Sequence, residues 1–180
     1  MKRHLLIGCF ACVLGIATMS HGQAIPTASR TGSIQVGVGG MFTNPDYAQQ
    51  YIKGLTFYAD YEFLHNIGVE GEVHYSVLTP TDLSENTYLI GPRYTMRHKR
   101  FTGYAKALFG MGRFGTQGGS FETTATTAYT AYAFGGGVEY MATHNINVRV
   151  FDVELQKWPS FPANGLSPIS YSIGVAYVIH

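Results

Sequence analysis

Gly68-Val69-Glu70-Gly71-Glu72-Val73-His74-Tyr75-Ser76-Val77 alternates two chemistries residue by residue. Val69, Gly71, Val73, Tyr75 and Val77 share one parity; Gly68, Glu70, Glu72, His74 and Ser76 share the other. A period of two belongs to a β-strand, whose successive side chains point to opposite faces. Here one face is apolar and the other carries two carboxylates and an imidazole. The same rhythm runs through Gly54 to Phe63, where Leu55, Phe57, Ala59, Tyr61 and Phe63 alternate with Gly54, Thr56, Tyr58, Asp60 and Glu62. It returns at the end of the chain, where Ile169, Tyr171, Ile173, Val175, Tyr177 and Ile179 oppose Ser170, Ser172, Gly174, Ala176 and Val178.

Eight such segments are expected, near 31–42, 51–63, 68–78, 86–97, 102–113, 128–142, 146–156 and 168–179. Each matches the roughly 9–11 residues that a tilted strand needs to cross a bilayer. The connections alternate in length. Short turns fall at Leu64 to Ile67, at His98 to Phe101 and at Thr143 to Asn145; longer polar loops fall at 43–50, 79–85, 114–127 and 157–167. Short turns on one side, long loops on the other and an even strand count are the habit of membrane barrels. Backbone groups in hydrocarbon must be paired within the protein, so such a sheet has to close. The expected fold is all-β, an eight-stranded antiparallel up-and-down transmembrane β-barrel in one domain.

Composition supports this. Only 13% of the 180 residues are charged and 14% are aromatic, with 22 glycines; an ordinary soluble domain is about 25% charged. Residues 1–24 read as a secretory signal peptide: Lys2, Arg3 and His4, then an apolar run from Leu5 to Thr18, then Gly22 and Ala24 at small-residue cleavage positions. That run is shorter than the roughly 20 residues of a spanning helix. The barrel domain is expected to occupy 25–180. Both cysteines, Cys9 and Cys12, leave with the signal, so no disulfide or thiolate metal site is expected. The signal holds two of the 12 Lys and Arg and none of the 11 Asp and Glu, leaving the remainder one charge short of neutral. Without a basic field, nucleic acid is not an expected partner.

An eight-stranded barrel has a narrow interior filled by side chains. The polar parity supplies Asp60, Glu62, Glu70, Glu72 and Glu139, and buried carboxylates need cations and donors. Arg93, Lys106 and Arg149, with His74 as a neutral partner, are the candidates. Glycines 37, 39, 91, 110, 135, 137 and 174 are expected to make room for them. Arg149 shares parity with Asn147, but Asp152 and Glu154 have the other parity. For all three charges to point inward, a β-bulge is expected near Val150-Phe151.

The segments Tyr88-Leu89-Ile90-Gly91-Pro92-Arg93-Tyr94, Tyr104-Ala105-Lys106-Ala107-Leu108-Phe109-Gly110 and Gly135-Gly136-Gly137-Val138-Glu139-Tyr140 resemble strands of small outer-membrane β-barrel proteins. The whole of 31–179 is similar to the eight-stranded membrane domain of the OmpA family. The resemblance implies a plugged polar interior, with Glu62, Glu72, Arg93, Lys106, Glu139, Arg149 and Glu154 as the matching positions. It implies an outer membrane of the Gram-negative type, with membrane lipid as surroundings. Periplasmic chaperones and the barrel-assembly machinery are implied partners during biogenesis. The chain ends Val178-Ile179-His180, where such barrels often end in an aromatic residue. No peptidoglycan-binding domain is expected after the barrel.

No catalytic residue, metal site or cofactor is expected. His65, His98 and His144 fall at the three short turns, where imidazoles are ordinarily solvated. His74 among Glu70, Glu72 and Glu62 has the makings of a base or ligand, but a filled interior accounts for it equally. The long loops carry Asp46, Asp82, Glu85 and Glu122 but no histidine, which argues against a Ser/His or Asp/His enzyme at the outer rim. The glycine clusters form no strand–glycine-loop–helix unit for a nucleotide. The polar loop at 114–127 is expected to be exposed, its partner undefined. The expected function is a structural or surface-interaction role for a barrel with a charged, filled interior. The alternatives are a narrow pore for ions or small solutes, and a soluble lipocalin-like barrel around an apolar cavity.

Overall fold

The computed structural model describes residues 32–46, 51–78, 83–118, 122–162 and 165–180. The expected signal segment, 1–24, lies outside the described residues. All eight expected strands form: β1 (Ile34–Asn44), β2 (Ile52–Glu62), β3 (Ile67–Leu78), β4 (Leu83–His98), β5 (Phe101–Gly118), β6 (Glu122–Met141), β7 (Ile146–Lys157) and β8 (Ile169–Ile179). Each pairs antiparallel with its chain neighbours, and β1 pairs with β8 from Ile34↔Ile179 to Asn44↔Ile169, so the sheet is a closed barrel. Closure leaves no sheet edge, the condition that lipid imposes.

Burial inverts the pattern of a soluble globule. On β1 every second residue, from Gln35 to Thr43, is buried, while Ile34, Val36, Val38 and Phe42 are exposed. The buried parity is the polar one on strand after strand. Lipid is the only solvent in which a wall of Phe57, Ile90, Phe109, Phe134 and Ile173 is stable facing outward.

The bulge on β7 forms where the charge parity demands it. Glu139 opposes Arg149 while Val138 opposes Phe151, and the β7–β8 register shifts between Arg149 and Asp152. Val150 and Phe151 are consecutively exposed at 46% and 48%, and Arg149 and Asp152 are buried at 1% and 3%. One inserted residue thus turns Arg149, Asp152 and Glu154 into the tube together.

The long connections depart from expectation. Residues 114–118 and 122–127 are not a free loop: β5 and β6 stay paired through Gly115↔Thr126, Thr116↔Ala125 and Gln117↔Thr123. The run Thr123-Thr124-Ala125-Thr126-Thr127 has high strand propensity, and extending a ladder already formed satisfies its backbone. The two strands therefore run on past the barrel as a ribbon. The 157–167 connection also folds back, with Trp158 bridging Leu166. The Trp158 N–H donates to the Leu166 carbonyl at 2.8 Å, and Gly165 turns the chain at φ 81°. The Trp158 indole is fully buried against Leu89, Leu108, Ala131 and Ala133 on the inner wall, beneath Tyr129 and Phe161. Burying roughly 200 Å² of aromatic surface contributes about 5 kcal/mol.

The glycines serve two needs. A methyl at Gly37 would occupy the space of the Tyr58 ring, whereas at Gly135 and Gly137 it would meet the β7 backbone at Val153 and Phe151 first, and Lys106 and the Tyr104 hydroxyl next. At Gly39, Gly91 and Gly110 a methyl would meet the backbone of the adjacent strand alone. Those positions let the wall itself curve, a need that the sequence did not announce.

Candidate functional site

Cations and carboxylates from six strands, β2 to β7, meet inside the tube. Arg93 on β4 contacts Asp60, Glu70 (3.2 Å) and Glu139 (2.9 Å). Lys106, its register partner on β5, contacts Glu72 and lies 3.3 Å from Glu70 and 3.2 Å from both Asp152 and Glu154. Arg149, held inward by the bulge, is 3.2 Å from Glu70, 3.4 Å from Glu139, 3.5 Å from Glu72, 3.9 Å from Asp152 and 4.0 Å from Asp60. Asp60, Glu70, Glu72, Glu139, Asp152 and Glu154 are all at most 5% exposed. Six carboxylates thus face three fixed cations.

Neutral groups complete the network. The Gln35 amide donates to Asp60 at 2.9 Å and to Glu139 at 3.0 Å, and Asn147 donates to the Gln35 oxygen at 2.6 Å. Thr56 donates to Glu72 at 2.9 Å, and the Tyr104 hydroxyl donates to Asp152. The Arg149 guanidinium stacks 3.5 Å above the Tyr58 ring, and Arg93 lies 4.0 Å from the Tyr104 centroid. Stacking of this sort suits guanidinium, whose charge is spread over a weakly hydrated plane.

His74 sits at the upper edge of the network. Its Nε2 is 3.2 Å from Glu72 Oε1, while Gln156 Nε2 lies 3.2 Å from Nδ1 and donates to Glu154 at 2.7 Å. Gln156 in turn accepts from the Trp158 indole N–H at 3.1 Å, joining the ionic layer to the aromatic cap. Glu72, His74 and Glu154 place ligand-type atoms within 4.8 Å of one another. Lys106 Nζ already contacts both of these carboxylates, so the trio has its own counter-ion, and a metal would have to sit beside an ammonium.

Ten of the eleven residues expected inside lie in this one cluster: Asp60, Glu70, Glu72, His74, Arg93, Lys106, Glu139, Arg149, Asp152 and Glu154. Glu62 does not. It sits at the mouth, half-buried, paired with Arg97 and accepting from Thr95 at 3.5 Å. The reason is depth: Glu62 is the last residue of β2, beyond the reach of Arg93 and Arg149. Gln35, Tyr58, Tyr104, Asn147, Gln156 and Trp158 were not singled out as partners from the sequence. Parity alone placed Tyr58 and Asn147 inward, but a phenol or an amide gives no sign of which charge it will meet.

A closed eight-stranded antiparallel tube, apolar outside and ionic within, is the build of an outer-membrane barrel. The chain belongs to the outer membrane protein beta-barrel domain family, whose profile matches residues 9–178. No curated protein matches it significantly. Among solved structures it is similar to Neisserial surface protein A, at 13% identity and TM-score 0.64 over 81% of this chain and 95% of that one. Outer membrane protein OprG of Pseudomonas aeruginosa matches at 16% identity and TM-score 0.60, covering 83% and 97%. Ail, the attachment invasion locus protein of Yersinia pestis, matches at 16% identity and TM-score 0.52, covering 83% and 99%. Identities this low carry the fold and nothing finer.

Proposed function

We propose that this protein is a non-enzymatic scaffold of the outer membrane, a sealed barrel whose interior network braces the wall while the ribbon and loops at the far end meet the surroundings. The observation that supports this best is Arg149, fully buried and ringed by five carboxylates. Below the network a cavity of ≈ 10 Å³ lies beside Gln35, Asp60 and Arg97, and above it another of ≈ 10 Å³ lies beside His74, Glu85 and Thr87. Each has room for about one water. The apolar exterior is the reverse of what a lipocalin-like barrel needs.

His74 is buried and engaged by Glu72 and Gln156 within the ion pairs, which favours a role without catalysis. The surface role has circumstantial support from the projecting β5–β6 ribbon and from a structural neighbour that is an attachment invasion locus protein. Export by the 1–24 signal, passage with periplasmic chaperones and insertion by the barrel-assembly machinery complete the proposal.

The competing function is a narrow pore. Purified protein in planar bilayers distinguishes the two. The sealed scaffold gives no steady current, and Trp158→Ala leaves it closed because the ionic layer below is intact. A steady conductance in the wild type that disappears on replacing Arg93 or Glu139 establishes the pore instead.

A further inference from the structure

The outer wall of the barrel is not uniformly bulky. Across β1 to β4 one register row on the lipid-facing parity reads Val36, Ala59, Gly71 and Ile90. The next row toward the long-loop end reads Phe57, Val73 and Tyr88. Two small residues side by side, walled by larger ones, leave an open apolar hollow of ≈ 530 Å³. Ligand sites commonly have about 300–1,000 Å³.

Gly71 makes this hollow, and the wall does not require it. A methyl there would meet the Leu89 carbonyl at 4.0 Å, an ordinary contact. At Gly110, by contrast, a methyl would run into the Tyr88 backbone. Nor does the chain conformation call for glycine at 71: the positive-φ glycines among the described residues are Gly32 and Gly165. Glycine weakens a strand interior. Where neither packing nor backbone demands it, the close approach of a ligand is a reason that remains.

A cation stands at the outward end of the hollow. Arg113 is exposed on the lipid-facing parity of β5, two residues beyond Met111 toward the long-loop end. Its guanidinium lies 5.6 Å from the centroid of the Tyr88 ring, which lines the hollow. Its register partners, Asn86 and Ala128, bring no carboxylate. A basic side chain on the outer wall costs little only near the membrane boundary, so Arg113 belongs at headgroup level. Gly71 lies four residues along and two strands across from it, roughly 16 Å at about 3.3 Å and 4.8 Å per step. Half of a hydrocarbon core about 30 Å thick has a similar depth. A guanidinium also pairs with phosphate through two parallel N–H···O bonds.

From the hollow and the cation together we infer a binding site for one acyl chain of an anionic lipid in the outward-facing leaflet, with Arg113 on its phosphate. The chain lies over Ala59 and Gly71, and the headgroup sits beyond Tyr88. This rests on the membrane setting of the wall, and not on whether the interior is sealed.

The test uses the full barrel in nanodiscs of phosphatidylcholine with and without phosphatidylglycerol, and native mass spectrometry to count retained lipid. The wild type is expected to keep phosphatidylglycerol preferentially, and less so as salt rises. Arg113→Gln is expected to lower that preference about fivefold. Gly71→Leu fills the hollow and is expected to cut retention of either lipid about tenfold. Two variants serve as controls and keep wild-type binding. Gly103→Leu has comparable room, 3.9 Å from the Met96 carbonyl, but lies near the short turns. Lys157→Gln removes an exposed charge at the same end as Arg113 but on β7. If Gly71→Leu fails to shift on a heat-modifiability gel, Gly71→Ala is read, with about a fourfold loss expected. Unchanged retention in the Gly71 variant, unchanged preference in Arg113→Gln, or an equal loss in either control overturns the site. Lipid-free dimers that Gly71→Leu abolishes put a second copy of the chain in the hollow and overturn it too. All of these leave the membrane assignment intact, whereas a wild-type barrel that will not enter discs overturns both.

Discussion

Replacing Arg149 with methionine removes the central cation while nearly keeping its volume. Arg149 lies within 4.0 Å of Asp60, Glu70, Glu72, Glu139 and Asp152, and its side chain is fully buried. Breaking a buried ion pair costs about 3–5 kcal/mol, because the abandoned charge keeps its desolvation penalty. Lost stacking on Tyr58, 3.5 Å away, adds about 1–2 kcal/mol. Arg149→Met should therefore lower unfolding free energy by at least about 3–5 kcal/mol. With six acids against three fixed cations, removal of an acid should behave differently. Glu154→Gln leaves Lys106 with Glu70, Glu72 and Asp152, so its cost should stay within about 1 kcal/mol of zero. Arg149→Lys keeps the charge, loses the planar stack and falls between. Urea titration in lipid vesicles measures all three, followed by gel mobility and by emission of Trp158, the single tryptophan. Comparable costs for Arg149→Met and Glu154→Gln, or a cost below about 1 kcal/mol for the arginine, would mean that water screens the interior. The dry, cation-limited network would then be wrong.

Other variants probe the cap, the bulge and the wall. Gly112→Ala places a methyl in the Trp158 ring space; a red shift in emission and a loss of about 1–3 kcal/mol are expected, and an unshifted spectrum contradicts the capped mouth. Deleting Val150 removes the bulge and turns either Arg149 and Asn147 or Asp152 and Glu154 toward lipid. At about 2–4 kcal/mol for a basic residue near the midplane, the folding yield on a heat-modifiability gel should collapse, whereas Phe151→Ala should fold. Spin labels at Phe57 and Val73 should meet oxygen dissolved in the bilayer, and labels at Asp60 and Glu72 should not; the reverse result removes the membrane assignment.

The strands were legible because their side-chain period is two and each face meets one environment, so parity in ten residues carries the whole orientation. The bulge followed from the same rule: Arg149 and Asp152 cannot both face inward without an inserted residue. Glu62 faces the tube but lies at its mouth, paired with Arg97 rather than with the central cations, because parity reports a face, not a depth along the barrel. The ribbon formed by 114–118 and 122–127 is not legible in the sequence, since glycine and threonine there look like a loop until a partner strand is alongside.

The amino-acid order by itself determined which residues face lipid and which face the tube, since that depends on neighbours one and two positions away. Who meets whom inside was decided only by closure. Arg149 reaches Glu70 across 79 residues and Gln35 reaches Glu139 across 104, and Trp158 finds Leu89 and Leu108 only when its connection folds back into the mouth. Those contacts depend on how eight strands are staggered around one axis. That stagger is a property of the closed ladder of hydrogen bonds, and no single strand encodes it.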